Sequence, residues 1–179
     1  MDSISERELV QRIQHGSQDA LSAAYEQYSD GVFAYCLRIL ADRQLAEDVV
    51  QDTFLKVRHY AASLQQDDSF RSWIFRIARN EALMQLRKRR LDSQLDDGSV
   101  WSEETPHEQL VALERSEIVN RLLESLKREY REVLVLLVYE NMSYAEIATV
   151  TGITESSVKS RIFRARKAMI EKLGSYMKE

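Results

Sequence analysis

Apolar positions recur along most of this chain at spacings of three and four, the repeat that keeps side chains on one face of a helix. Leu9, Val10 and Ile13 mark a first helix over residues 6–15. Gly16 stops it, and Ser17 or Asp19 can cap the next one. Residues 19–40 carry Leu21, Tyr25, Tyr28, Val32, Phe33, Tyr35, Cys36, Leu37 and Leu40, with the aromatic positions read as core. Gly31 weakens the middle of that helix by about 1 kcal/mol relative to alanine and leaves room for a kink or break. Asp42 can start a third helix, with Ala46, Val49, Val50, Thr53 and Val57 on one side and Phe54 at its edge. Its other side presents Asp48, Gln51, Asp52 and Leu55. A polar loop over 59–69 precedes a helix over 70–91. There Phe70, Ile74, Ile77 and Met84 share a face beside Trp73, while Arg76, Arg79, Asn80, Leu83 and Arg87 look the other way.

The C-terminal pattern is more specific. Ser143 can cap a short helix, and Glu146 can reach back to the cap nitrogen in a capping box. Gly152 supplies a left-handed turn, and Thr154 can cap a second helix. That helix puts Val158, Ile162, Ala165 and Met169 on one face. The opposite face carries Ser156, Ser160, Arg164 and Lys167, with Lys159 and Arg161 at its flanks. A small first helix, a glycine turn and a basic second helix describe a helix-turn-helix. The plainer reading is a helical hairpin with a solvated basic face. The local reversal of charge in a net acidic chain favours DNA.

Composition narrows the class. The chain has 179 residues, 44% of them apolar and 30% charged, with one proline and five glycines. Few helix breakers favour an all-α fold. No apolar run approaches a membrane span and no signal peptide is evident, so the expected location is cytoplasmic. A single cysteine excludes an intramolecular disulfide, and three scattered histidines offer no zinc spacing. Asp48 and Asp52 lie one helical turn apart without a companion His, Cys or ligand set, so no catalytic pair, metal or cofactor is expected. The net charge of −4 is unevenly spread. Residues 71–90 hold Arg71, Arg76, Arg79, Arg87, Lys88, Arg89 and Arg90 against Glu81, while 91–113 hold only acidic charge, including Asp92, Asp96 and Glu103. These blocks imply two positive surfaces joined by a negative tether.

Four stretches, AEDVVQDTFLKV, FRSWIFRIARNEALMQLRKRR, LESLKREYREVLVL and MSYAEIATVTGITESSVKSRIFRARKAM, together resemble bacterial sigma factors of the sigma-70 family, in particular the extracytoplasmic-function (ECF) group. Their order and separation match as well, across nearly the whole chain. The resemblance implies two helical domains: region 2 over 1–91, an acidic flexible linker over 92–113, and region 4 over 114–179. It implies no enzyme activity, but a protein that binds core RNA polymerase, recognises and opens promoters, and serves a stress- or signal-dependent gene set.

The resemblance also assigns residues. The helix carrying Asp48, Gln51, Asp52 and Leu55 would dock on the clamp helices of the largest polymerase subunit. The loop and helix after it would open and read the minus-ten element, with Arg76, Arg79, Asn80 and Arg87 nearest the unpaired strand. Ser156, Ser157, Lys159, Ser160, Arg161, Arg164 and Lys167 would face the minus-thirty-five major groove. The linker, with Trp101 its one large apolar residue, would run through the polymerase cleft, and an anti-sigma factor is an expected partner. The chain departs from the family at Met84, where Asp or Asn is frequent, at Leu126-Lys127, where Leu-Pro is common, and at Phe163. Phe163 could meet a thymine methyl or pack on its neighbour. The alternative is a stand-alone helix-turn-helix regulator that binds duplex operator DNA and needs no polymerase.

Overall fold

The computed structural model describes residues 5–64, 69–95 and 114–176. Among them the architecture is all α, with no strand. The helices are α1 (Glu6–Gln14), α2 (Gln18–Leu40), α3 (Arg43–Tyr60), α4 (Phe70–Leu95), α5 (Glu114–Glu124), α6 (Arg128–Val138), α7 (Tyr144–Thr151) and α8 (Glu155–Tyr176), with a short 3₁₀ turn at Ala61–Ser63. They fall into two compact units divided near residue 100. Most of the acidic tether, Trp101 included, lies outside the described residues. Its first residues do not, because α4 continues to Leu95.

In the first unit α2, α3 and α4 pack on one another, and α1 lies against α2. Caps set the register. The Ser17 hydroxyl accepts from Ala20 N, which makes Ser17 rather than Asp19 the cap of α2, and Asp42 Oδ1 accepts from Leu45 N at 3.0 Å. Gly31 produces no break, since α2 runs unbroken to Leu40 and buries Val32, Tyr35, Cys36 and Ile39. The core is completed by Ala46, Val49, Val50, Phe54 and Val57 of α3 and by Phe70, Ile74, Phe75, Ala78 and Ala82 of α4. Edge-to-face ring pairs, Tyr28–Phe70 at 5.7 Å and Tyr35–Phe75 at 5.8 Å, join α2 to α4. Lys56 Nζ meets the buried Glu81 carboxylate at 2.6 Å and joins α3 to α4.

Three expectations change here. The buried stripe of α4 is displaced from Ile77 and Met84 toward Phe75, Ala78 and Ala82, leaving Met84 49% exposed. The helix packs on both α2 and α3, so its apolar arc is wider than a single stripe. The expected loop over 59–69 is shorter, because α3 continues through His59 and Tyr60 into the 3₁₀ turn. Tyr25 is not core; it is 45% exposed, with its ring edge on Phe54 at 4.8 Å.

In the second unit α8 packs on α6 and α5. Leu123, Leu126, Leu134 and Ala165 form one cluster against which Tyr130, Ala168 and Met169 lean. The turn between α5 and α6 carries Leu126-Lys127 where a proline is common in the family, and Lys127 makes no side-chain cap. The Arg131 guanidinium instead gathers carbonyls at and just beyond the end of α5. It donates to Leu123 O at 3.0 Å, to Leu126 O at 3.3 Å and to Glu124 O. The last carbonyls of a helix have no i+4 donor within it, and Arg131 joins the Leu126 N–H, 3.1 Å from Leu123 O, in serving them.

Candidate functional site

Three surfaces remain when the two cores are accounted for. The first lies between α2 and α3. Asp48, Gln51, Asp52 and Leu55 are spaced three, four and seven apart from the first, which places them along one flank of α3. Leu55 is 64% exposed, Gln51 is exposed, and Asp48 and Asp52 are half-buried. Gln44 Nε2 donates to Asp48 Oδ1 at 3.3 Å and steadies that carboxylate. Beside Leu55 runs a shallow groove of about 400 Å3, lined by Leu21, Ser22, Tyr25, Gln51, Phe54, Leu55 and Arg58. Its floor is apolar and its rim polar, the usual composition of a protein-docking patch. Tyr25 and Phe54 therefore belong to this surface. Residue patterning places Tyr25 in the core, and only the packing of α2 on α3 reveals it at the rim.

The second surface is the outward face of α4. Asn80 and Arg87 are exposed, and Arg76 and Arg79 are half-buried. Arg87 Nε donates to its own helix at Leu83 O, 3.2 Å away. Trp73 is unavailable to stack on a base: it is 6% exposed and its ring stacks on Phe70 at 6.0 Å. Tyr60, at the close of α3, is an exposed ring instead, packed edge-on against His59 at 4.7 Å. An exposed aromatic in a unit that also presents arginines and an asparagine offers both stacking and phosphate contacts. The sequence gives no such signal for Tyr60, because it stands in what reads as a polar loop.

The third surface is α8 with its preceding turn. Ser143 Oγ accepts from Glu146 N at 3.2 Å while the Glu146 carboxylate accepts from Ser143 N at 2.8 Å, a complete capping box on α7. Gly152 closes α7 with φ of +71°, where a side chain would be strained. Thr154 Oγ1 accepts from Ser157 N at 3.3 Å and lies within 3.0 Å of both the Ser156 and Ser157 hydroxyls. Val158, Ile162 and Ala165 are buried, which turns Ser156, Lys159, Ser160, Arg164 and Lys167 outward.

Three of the predicted contacts are partly engaged within the unit. Ser157 is half-buried at the cap, and Arg161 reaches Glu129 of α6 at 3.5 Å. Lys167 lies 4.0 Å from Glu171 on the same helix. Phe163 is 71% exposed in the middle of this basic face, so it does not pack on a neighbour. A polar recess of about 380 Å3 lined by Glu129, Tyr130, Ser156, Ser157, Ser160, Arg161 and Arg164 runs beside it. Glu129 and Tyr130 are additions that only the packing of α6 on α8 supplies.

Among the described residues no cluster of His, Cys, Asp and Glu could hold a metal ion. No described helix is long and apolar enough to cross a membrane. Burial pushes the Cys36 thiol up to about 12, which keeps it neutral and unreactive inside the first unit.

Comparison with known proteins agrees with this layout. The family model for sigma-70 region 2 matches residues 24–91, and that for sigma-70 region 4 matches residues 116–169. The chain is 30% identical to the ECF RNA polymerase sigma-E factor of Salmonella typhimurium, over 96% of each chain. It is 28% identical to the ECF RNA polymerase sigma factor SigW of Bacillus subtilis, over 92% of this chain and 94% of the relative. The solved structure of the sigma factor RpoE of Bartonella quintana, in complex with the anti-sigma factor NepR, superposes with a TM-score of 0.75 at 27% identity. That superposition covers 86% of this chain and 96% of the other. The chain belongs to the ECF group of sigma-70-family RNA polymerase sigma factors.

Proposed function

We propose that this sigma factor binds core RNA polymerase through the α2–α3 groove, captures an unpaired promoter strand on α4, and docks α8 in the major groove of an upstream duplex element. The observation that carries the reading is the presence of regions 2 and 4 on one chain. A stand-alone regulator needs only a helix-turn-helix, and nothing in that role calls for an exposed leucine on a groove walled by Tyr25 and Phe54 and edged by Gln51 and Arg58.

Each surface has a distinct task. Leu55, with Tyr25 and Phe54 beneath it, supplies apolar contact, while Asp48, Gln51 and Asp52 orient the partner and reject wrong ones through charge. Arg76, Arg79, Asn80 and Arg87 meet phosphates and base edges of the minus-ten strand, with Tyr60 available for stacking. Ser156, Ser157, Lys159, Ser160, Arg161, Arg164 and Lys167 meet the minus-thirty-five duplex. Phosphate contacts set its register, Arg164 can reach a base edge, and Phe163 offers an apolar surface to a thymine methyl. The protein performs no covalent chemistry in this scheme and acts in the cytoplasm beside the polymerase. An anti-sigma factor is a further proposed partner, supported by the complex in which the Bartonella quintana sigma factor was solved.

The decisive experiment is binding of the purified protein to bacterial core RNA polymerase in competition with a housekeeping sigma factor. Mutually exclusive binding is expected. Independent or absent binding by a folded, partner-free protein would reject the sigma role in favour of a regulator acting on duplex DNA alone.

A further inference from the structure

Helix α1 precedes the segment matched to region 2, and none of the three surfaces uses it. It nevertheless holds both ends of the connection between α3 and α4. Gln14, the last residue of α1, donates from Nε2 to the carbonyl oxygens of Ala61 at 3.1 Å and Leu64 at 3.4 Å. Glu6, its first residue, accepts the N–H of Phe70 at 2.6 Å. Phe70 opens α4, so this N–H is one of the donors that a helix leaves unsatisfied, and a carboxylate there also suits the positive end of the helix.

The two tethers sit at opposite ends of one rigid element. A rise of 1.5 Å per residue separates Glu6 from Gln14 by about 12 Å along the axis. Leu9 and Ile13, buried between them, fix α1 to the unit. The chemistry at each end is selective. Both partners of Gln14 are carbonyls, so its amide must present its NH2 group; a carboxylate would face two acceptors and be repelled. At the other end the group must accept, which Glu or Gln can do and Ala cannot.

We infer that α1 is a positioning element for strand capture: Glu6 and Gln14 set the separation of Leu64 and Phe70, and so hold the 3₁₀ turn that follows Tyr60 in place relative to the first turn of α4. The inference rests on the reading of α4 as the minus-ten surface. Helices α3 and α4 stay packed without the tethers, through their direct contact along the bundle and the Lys56–Glu81 pair. Losing them therefore costs preorganisation for the strand and leaves the other two surfaces untouched.

The test uses the full chain in holoenzyme, on a promoter that the wild-type holoenzyme selects from genomic fragments. Three quantities are read: core polymerase affinity, binding to a duplex carrying only the upstream element, and permanganate reactivity of unpaired thymines. The Glu6→Ala, Gln14→Ala double variant is expected to lose about tenfold in strand opening, the scale of one or two net hydrogen bonds, with the other two readouts within about twofold. Glu6→Gln, which keeps the acceptor, is expected to restore opening, and Gln14→Glu to reproduce the loss. Opening equal to wild type in the double variant overturns the role of α1. So does a loss in all three readouts that tracks a fall in thermal stability, since that is plain structural support. A wild-type holoenzyme that opens no DNA overturns the sigma reading itself, and is told apart because it needs no variant.

Discussion

Replacing Leu55 with alanine removes the isopropyl group that stands most exposed on the α2–α3 groove. Fully burying a leucine is worth about 1.5–3 kcal/mol. Of its surface 64% is open in the free protein, so docking can bury at most about two-thirds of that value. The truncation should cost about 1–2 kcal/mol of binding, or about five- to thirtyfold in Kd. Leu55→Asp should cost more, because docking would bury an unpaired carboxylate. Neither change should lower thermal stability by more than about 0.5 kcal/mol, since the side chain contributes little to the core. Phe54, one residue earlier and only 6% exposed, is the internal control. Its alanine variant should lose about 3–5 kcal/mol of folding stability. The assay is competition against a labelled housekeeping sigma for core polymerase, beside thermal melts of each variant. Unchanged affinity in both Leu55 variants would refute docking through this groove. A loss of affinity matched by a loss of melting temperature would refute the premise that Leu55 is free to bind.

Arg164→Ala should weaken binding to the upstream duplex and, if the guanidinium neutralises one phosphate, reduce the slope of log K against log salt by about 0.9; an unchanged slope and affinity would remove it from the interface. Ser143→Ala breaks the capping box on α7 and should cost about 1 kcal/mol of stability. The Ser143→Ala, Glu146→Ala pair should cost less than the sum of the two single changes, because the bonds are reciprocal. Burial raises the Cys36 thiol from its ordinary 9.0 to about 12. The folded state thus favours the neutral form, a contribution fully present below pH 9 and lost progressively as pH rises toward 12. Tyr28, raised from 10.0 to about 12 by burial first and by Glu6 next, acts in the same direction. Urea midpoints should fall between about pH 7 and pH 10.5, and a flat profile across that range would contradict it.

Features written by neighbouring residues were legible in the sequence. The Ser143–Glu146 box, the Gly152 turn, the Asp42 cap and the Val158–Ile162–Ala165 stripe each need only a few residues and a helical repeat. Features that depend on a second element were not. The register of α4 hinges on Ala78 and Ala82, whose small side chains carry little hydrophobic weight yet permit the close approach that packing demands. Glu81 reads as a surface charge until Lys56 of α3 reaches it. Ala41 ends α2 with φ of +51°, a conformation usually given to glycine, and no local signal announces it. Arg161 reads as one more basic residue on α8, but Glu129 of α6 holds it at 3.5 Å.

The same division runs through the candidate sites. A site residue on one helix face, such as Asp48, Gln51, Leu55, Ser160 or Arg164, can be placed by periodicity once the core face is known. A site residue that owes its place to the meeting of two helices cannot. Tyr25 reads as core because it is aromatic and in phase with Tyr28 and Val32, yet α3 covers only one edge of its ring. The uncovered part then joins Leu55 as groove wall. Gln14 reads as an unremarkable polar residue at the end of a short helix, and its two acceptors lie 47 and 50 residues further along the chain. Exposed apolar edges and long-range side-chain tethers are therefore the places where this fold adds functional information to its sequence. They are also the residues whose substitution should alter partner binding or strand capture more than stability.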